Sequence, residues 1–200
     1  MSDARANRVR GGLLGLLVGD ALGVPYEFHD PRDLPVLEQL EMVPPPDFDR
    51  AHLGTPPGTW SDDGAQALCL LESLLECGLF DAEDFGRRLV AWFERGHWAV
   101  GGRVFDVGVQ TGWAIQNLQR GVPALEAGSS DTYAQGNGSL MRALPLALWH
   151  RGTDSDLAED ARKQSRVTHG HPTCQVLCGL YCLWARCLLE NIANPLEHAT

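Results

Sequence analysis

An all-α protein is what this sequence predicts, and three observations predict it. Apolar residues recur every three to four positions over most of the chain, as they do on the face of a helix. No run alternates apolar and polar residues in the manner of a strand. Helix-opening residues and closing glycines bracket the apolar segments at ordinary helix lengths. The 200 residues contain no internal repeat and no linker that divides domains, so one domain over 1–200 is expected.

The first helix carries Val9, Leu13, Leu16 and Leu17 on one side and Gly12, Gly15, Gly19 and Gly23 on another. A helical glycine costs about 1 kcal/mol relative to alanine. Four of them predict a buried central helix with another backbone lying close against it. Pro31, Pro35, Pro44, Pro45, Pro46, Pro56 and Pro57 then turn residues 25–58 into loop, sparing one short helix at 34–41. A long excursion of this kind often covers a site.

The second helix opens at Asp62, sets Ala67, Leu70, Leu71 and Leu74 toward the core, and ends at Gly78. Asp81 and Asp84 start the third, with Phe85, Leu89, Trp92 and Phe93 at helical spacing and Gly96 as its stop. A glycine-rich connection at 96–108 leads into a helix ending near Gly121. The polar loop 129–138 precedes a helix at 140–149, with Pro145 in its first turns or kinking it. Residues 154–165 make a short amphipathic helix. Pro172 opens the last strong one, with Val176, Leu177, Leu180, Leu183, Trp184 and Leu188 expected to be buried.

Six cysteines would suit a disulfide framework, but Cys174, Cys178, Cys182 and Cys187 lie in that last apolar helix, and no secretory signal is present. They read as reduced core residues whose small side chains permit close helix contact. The formal net charge of −10 argues against a nucleic-acid surface, which needs clustered Lys and Arg. The apolar run 13–18 is too short for a signal core or a membrane span. A cytoplasmic protein with neither nucleic acid nor membrane as partner is expected.

The most informative feature is Ser61-Asp62-Asp63, where two adjacent carboxylates and a hydroxyl open an otherwise apolar helix. Two readings stand: a site for a hard cation, or a serine cap with two aspartates complementing the helix dipole. Four further polar segments stand at helix ends. They are Gly-Asp-Ala-Leu-Gly-Val-Pro-Tyr-Glu at 19–27, Phe-Asp-Val-Gly-Val-Gln-Thr at 105–111, Gly-Asn-Gly-Ser-Leu-Met-Arg at 136–142, and Ser-Arg-Val-Thr-His-Gly-His-Pro at 165–172. A zinc site from His169, His171 and Cys174 is a third, weaker pattern.

In order and content the five segments resemble the ADP-ribosylglycohydrolase family, and the resemblance runs over almost the whole chain. It implies a compact multi-helix bundle with long active-site loops. It also implies two divalent cations, magnesium or manganese, that hold the distal ribose of ADP-ribose. On this resemblance Ser61, Asp62 and Asp63 supply metal ligands, and Glu27 lies beside the metals, where it orients or deprotonates the attacking water. Asp106 lines the ribose. Gly136, Asn137, Gly138 and Ser139 contact phosphate and ribose from a loop before a helix, and His169 contacts ligand. Glu27, Asp62 and Asp63 are the residues to which catalysis is assigned.

The function so implied is metal-dependent cleavage of the glycosidic bond between ADP-ribose and a protein side chain or small molecule. Family members continue beyond this length and end their site with an Asp-x-Asp cluster, so a C-terminally incomplete domain is expected. A non-catalytic ADP-ribose-binding module is the alternative. Gly64 stands where many members have threonine, a change expected to lose one hydroxyl contact.

Overall fold

Local capping chemistry sets several of the helix boundaries in the computed structural model, which describes residues 3–199. Among the described residues nine α-helices follow one another: α1 (Asp3–Gly23), α2 (Asp62–Cys77), α3 (Ala82–Arg95), α4 (Val109–Gln119), α5 (Ala124–Ala127), α6 (Leu144–Trp149), α7 (Asp154–Arg166), α8 (Pro172–Glu190) and α9 (Pro195–Ala199). No strand occurs among the described residues, and one isolated parallel bridge joins Ser129 to His169. The all-α expectation holds.

Gly78 ends α2 and Gly96 ends α3 at φ of 69° and 66°, backbone that glycine adopts without strain. Asp81 caps α3 by accepting from the Asp84 amide. Thr153 and Asp156 form a reciprocal capping box on α7.

The core gathers Leu70 and Leu74 of α2, Phe85, Leu89 and Trp92 of α3, Ile115 of α4, Leu146 of α6, Leu157 of α7, and Cys178 and Cys182 of α8. α2 packs against α1, α3 and α6, while α8 runs along α7 and also touches α6 and α9. Leu70 is wholly buried in this cluster. Leu70→Ala is expected to cost about 2–5 kcal/mol, the usual range for a fully enclosed leucine. Urea unfolding measures it, and a loss under about 1 kcal/mol would mean that the cluster is loosely packed.

Four expectations need correction. The helix foreseen at 34–41 reduces to a single 3-10 turn, Leu37–Gln39. The helix foreseen at 140–149 begins at Leu144, with Pro145 in its first turn, where its missing N–H costs nothing. α1 is not central. Only Ala21 is buried in it, Leu14 and Val18 are exposed, and a Cβ on Gly11, Gly15, Gly19 or Gly23 would meet nothing within 4 Å. Of its glycines only Gly12 sits close to a neighbour, at 3.3 Å from Leu148.

α8 also turns a different face inward. Val176, Leu177, Trp184 and Leu188 are exposed, and Cys174, Cys178, Cys182, Ala185 and Leu189 are buried in their place. The cysteine stripe is the packing face because small residues let α7 approach closely, and Ala158 of α7 lies beside Gly179. All six cysteines are free thiols. By length and composition alone α8 could cross a membrane, yet one face of it is core, and its Arg186 bonds Asp154 and Gly152. Between α1, α6 and α8 lies an apolar groove of about 270 Å³ that reaches Gly12, Leu144, Tyr181 and Trp184.

Candidate functional site

The site begins where α1 meets α2. Ser61 does not cap α2 with its own side chain. Asp20, from the last turns of α1, takes that role across the helix junction. Its carboxylate accepts from the Ser61 amide at 3.0 Å, the Ser61 hydroxyl at 2.7 Å and the Gly64 amide at 2.7 Å. Gly64 makes this approach possible, since a Cβ there would lie 2.9 Å from Asp20 Oδ2, Leu17 and Trp60. The glycine at this position is therefore a packing requirement of the Asp20 cap, a larger consequence than one lost hydroxyl.

With Asp20 on the first amides, Asp62 and Asp63 are left to face a cavity of about 460 Å³. Glu27, Asp62, Asp63 and Asp106 line it, as do Gly136, Asn137, Gly138 and His169. Eight of the ten residues singled out from sequence thus share one cavity wall. Ser61 lies behind it, 3.4 Å from Asp62 Oδ1. Ser139 is buried away from it, its hydroxyl bonded to Ser165 at 2.9 Å and near Cys178 at 3.5 Å. A ligand contact by the Ser139 side chain does not fit this placement.

The carboxylates crowd one end. Burial foremost, then the charges of Asp63, Asp106 and Asp20, pushes the Asp62 carboxyl up to about 8. Burial, then Asp20, Glu27 and Asp106, lifts Asp63 to about 7. Burial likewise raises Glu27 and Asp20 above the usual range, against the hydrogen bonds each accepts. Such a cluster is stable only when protons or a cation neutralise part of it.

At this end Asp20 carried only a faint sequence signal, and His52 carried none. His52, from the proline-rich loop, places Nε2 2.5 Å from Glu27 Oε2 and packs between the rings of Phe28 and Phe105. Glu27, His52 and Asp106 bring three ligand atoms within 4.8 Å of one another, and no other such set occurs among the described residues. Asp62 and Asp63 stand outside that trio on the same cavity wall. Phe28, His52 and Asp106 all hold φ between 49° and 66°, a strained region for non-glycine residues that surrounding structure must enforce.

Another part of the wall is built from the 136–138 loop and His169. Gln110 Oε1 accepts from the Gly136 amide at 3.1 Å. A Cβ on Gly136 would come within 2.8 Å of that oxygen, and one on Gly138 within 2.8 Å of His169 Cε1, so both glycines are required by close approach. The loop does not sit on a helix N-terminus as foreseen, because α6 starts only at Leu144. The loop therefore presents backbone without a helix dipole behind it.

His169 is buried, and burial with the nearby Arg142 charge pulls its imidazole down to about 3. His171 caps α8, and the Cys174 thiol points to the carbonyls of Ala134 and Gly136. The zinc pattern is not assembled. Tyr133 stands on the rim of the cavity, 97% exposed. Gln110, Thr111, Tyr133 and Met141 also line the wall, and all but Tyr133 fall inside segments already singled out.

The model of the ADP-ribosylglycohydrolase family matches residues 1–200. The chain belongs to the ADP-ribosylglycohydrolase family. It is 37% identical over 164 residues to the ADP-ribosylarginine hydrolase Tri1 of Pseudomonas putida, covering 82% of this chain and 42% of that protein. It is 31% identical over 173 residues to the ADP-ribosyl-dinitrogen reductase glycohydrolase of Rhodospirillum rubrum, covering 86% of this chain and 54% of that one. A solved structure titled ADP-ribosylglycohydrolase-related protein complex superposes with a TM-score of 0.70 at 33% identity, over 95% of this chain and 57% of that one. This member of the family thus spans about half the length of the curated relatives it matches.

Proposed function

We propose that this chain carries the ADP-ribose-holding part of a divalent-metal-dependent hydrolase that cleaves the glycosidic bond between ADP-ribose and a protein side chain or small molecule. One observation carries the reading: a single cavity is lined by clustered carboxylates and also by a Gly-Asn-Gly loop and a histidine. That combination matches ADP-ribose, whose distal ribose presents a diol and whose pyrophosphate needs neutral donors. The exposed Tyr133 ring on the rim offers a stacking surface for the adenine.

The donor set fits a hard cation, being all oxygen near Asp62 and Asp63 and highly charged. Glu27, Asp62, Asp63 and Asp106, with Ser61 behind them, are the residues that would hold magnesium or manganese. The cation would neutralise the cluster and polarise the oxygens bound to it. The carboxylates oppose the positive charge that develops on the ribose ring in an oxocarbenium-like transition state. With Oε2 of Glu27 held by His52, Oε1 is free to orient a water and take its proton. The likeness to an ADP-ribosylarginine hydrolase makes arginine the first linkage to assay.

Calorimetric titration of ADP-ribose, with magnesium or manganese and again with chelator, tests the reading. Binding that requires the cation is expected. Binding of equal strength in chelator would remove the metal from the proposal, and no binding in either condition would remove ADP-ribose.

A further inference from the structure

Arg142 ends the 136–142 segment, and the structure leaves it out of the cavity lining. It is 0% exposed, lies 5.0 Å above the Phe85 ring, and bonds no carboxylate. Its partners are neutral oxygens. Nε donates to Gln164 Oε1 at 3.2 Å, Nη1 to Gln66 Oε1 at 2.7 Å, and Nη2 to the Gln164 carbonyl at 3.1 Å and Thr168 Oγ1 at 2.8 Å. A buried guanidinium with no counter-charge is costly to keep. Gln66, Gln164 and Thr168 are fully buried too, so the network has no solvent to rearrange into.

The direction of each bond follows from donor chemistry. A guanidinium only donates, so Thr168 Oγ1 accepts from Nη2. The same oxygen lies 2.7 Å from His169 Nδ1. Among the described residues Nδ1 is the one acceptor in reach of the Thr168 hydroxyl proton, and a buried hydroxyl left without an acceptor is penalised. Nδ1 therefore accepts, and the ring proton sits on Nε2. That nitrogen is the one beside Gly136 and Gly138, where a Cβ would stand 3.4 Å and 3.2 Å from it. On the other branch, Gln66 turns its oxygen to Arg142 and its amide nitrogen to Asp62 Oδ2 at 3.3 Å.

We propose that Arg142 is a positioning residue that fixes His169, through Thr168, as the neutral Nε2–H tautomer, so that the cavity wall presents a hydrogen-bond donor to an acceptor oxygen of the ligand. Through Gln66 the same guanidinium also orients Asp62, linking two cavity-lining residues, Asp62 and His169, by one buried cation. The identity of the ligand rests on the ADP-ribose reading above; the tautomer does not.

Long-range ¹H–¹⁵N correlation spectra of the histidine rings test it in the uniformly labelled 200-residue chain, with His169 assigned by its loss in His169→Asn. The wild-type ring is expected to show protonated Nε2 and bare Nδ1. Thr168→Val, which keeps the shape and removes the hydroxyl, is expected to shift the ring toward the Nδ1–H form and weaken ADP-ribose binding about tenfold, the worth of one buried hydrogen bond. Thr168→Ser is expected to restore both. A wild-type ring protonated on Nδ1, or a tautomer unchanged in Thr168→Val, would overturn the proposal. The wild-type spectrum decides it even if the valine variant does not fold. An Nε2–H ring in a protein that ignores ADP-ribose would uphold the tautomer and sink the ligand assignment alone.

Discussion

Replacing Asp62 and Asp63 together with asparagine is expected to abolish cation-dependent ADP-ribose binding while raising the melting temperature of the chelator-treated protein. The two effects have one cause. Both carboxyls are pushed far above their ordinary range by burial and by the neighbouring acids, so in the absence of a cation they oppose the fold. Asparagine keeps the shape and the oxygen that accepts from Gln66, yet removes the charge. Cation affinity should fall by at least about 100-fold, because direct ligands matter more than the outer partners whose loss already costs 10- to 100-fold. Each kcal/mol of repulsion relieved should add about 2–4 °C to the midpoint in a chain of this size. A lower melting temperature in chelator would show that these carboxylates support the fold, and undiminished cation-dependent binding would place the metal elsewhere.

Stability without divalent cation is expected to fall as pH rises from 6.5 to 8. Asp62 and Asp63 hold protons in the folded chain up to about 8 and about 7, whereas in the unfolded chain they release them near 3.8. In that window the folded state binds more protons than the unfolded one, and stability declines by about 1.4 kcal/mol per pH unit for each proton held. His169 acts with the opposite sign, since its folded value near 3 lies below the ordinary 6.5. Its contribution rises with pH between those limits and is constant above 6.5. Staying below pH 8 keeps the buried thiols silent, because burial raises Cys69, Cys178 and Cys182 above their ordinary 9. A saturating divalent cation takes the place of the protons and should flatten the decline. Thermal midpoints across the window, in chelator and in magnesium, test this; a curve that rises with pH in chelator would refute the neutralisation account.

Much of the site was legible because its residues sit in contiguous segments with unusual local chemistry. Two adjacent aspartates at the head of an apolar helix, or glycines flanking an asparagine, stand out in a linear reading. Asp20 was visible only as one letter of the 19–27 segment. Nothing along the chain says that its carboxylate caps a helix beginning some forty residues later, at Asp62. His52 was invisible, a single histidine in a proline-rich loop, and its role arises only because that loop folds back onto Glu27. Thr168 and Gln66 look like ordinary helix-end and helix-interior residues until Arg142 is seen between them.

Seven of the nine helices among the described residues and the acidic character of the site were determined by the sequence itself, because caps, glycine stops and apolar spacing act within a few residues; the short α5 and α9 were not foreseen. Which faces those helices bury was decided only in three dimensions. α8 is apolar on nearly every side, so its periodicity permits several inward faces, and close approach of α7 selects the cysteine stripe over the larger Val176, Trp184 and Leu188. α1 likewise displays glycines suited to contact, yet only Gly12 meets a neighbour, Leu148 of α6, and Gly15, Gly19 and Gly23 meet none. Burial and charge coupling, which set the protonation of Asp62, Asp63 and His169, depend on what lies across the cavity and not on what lies next in the chain.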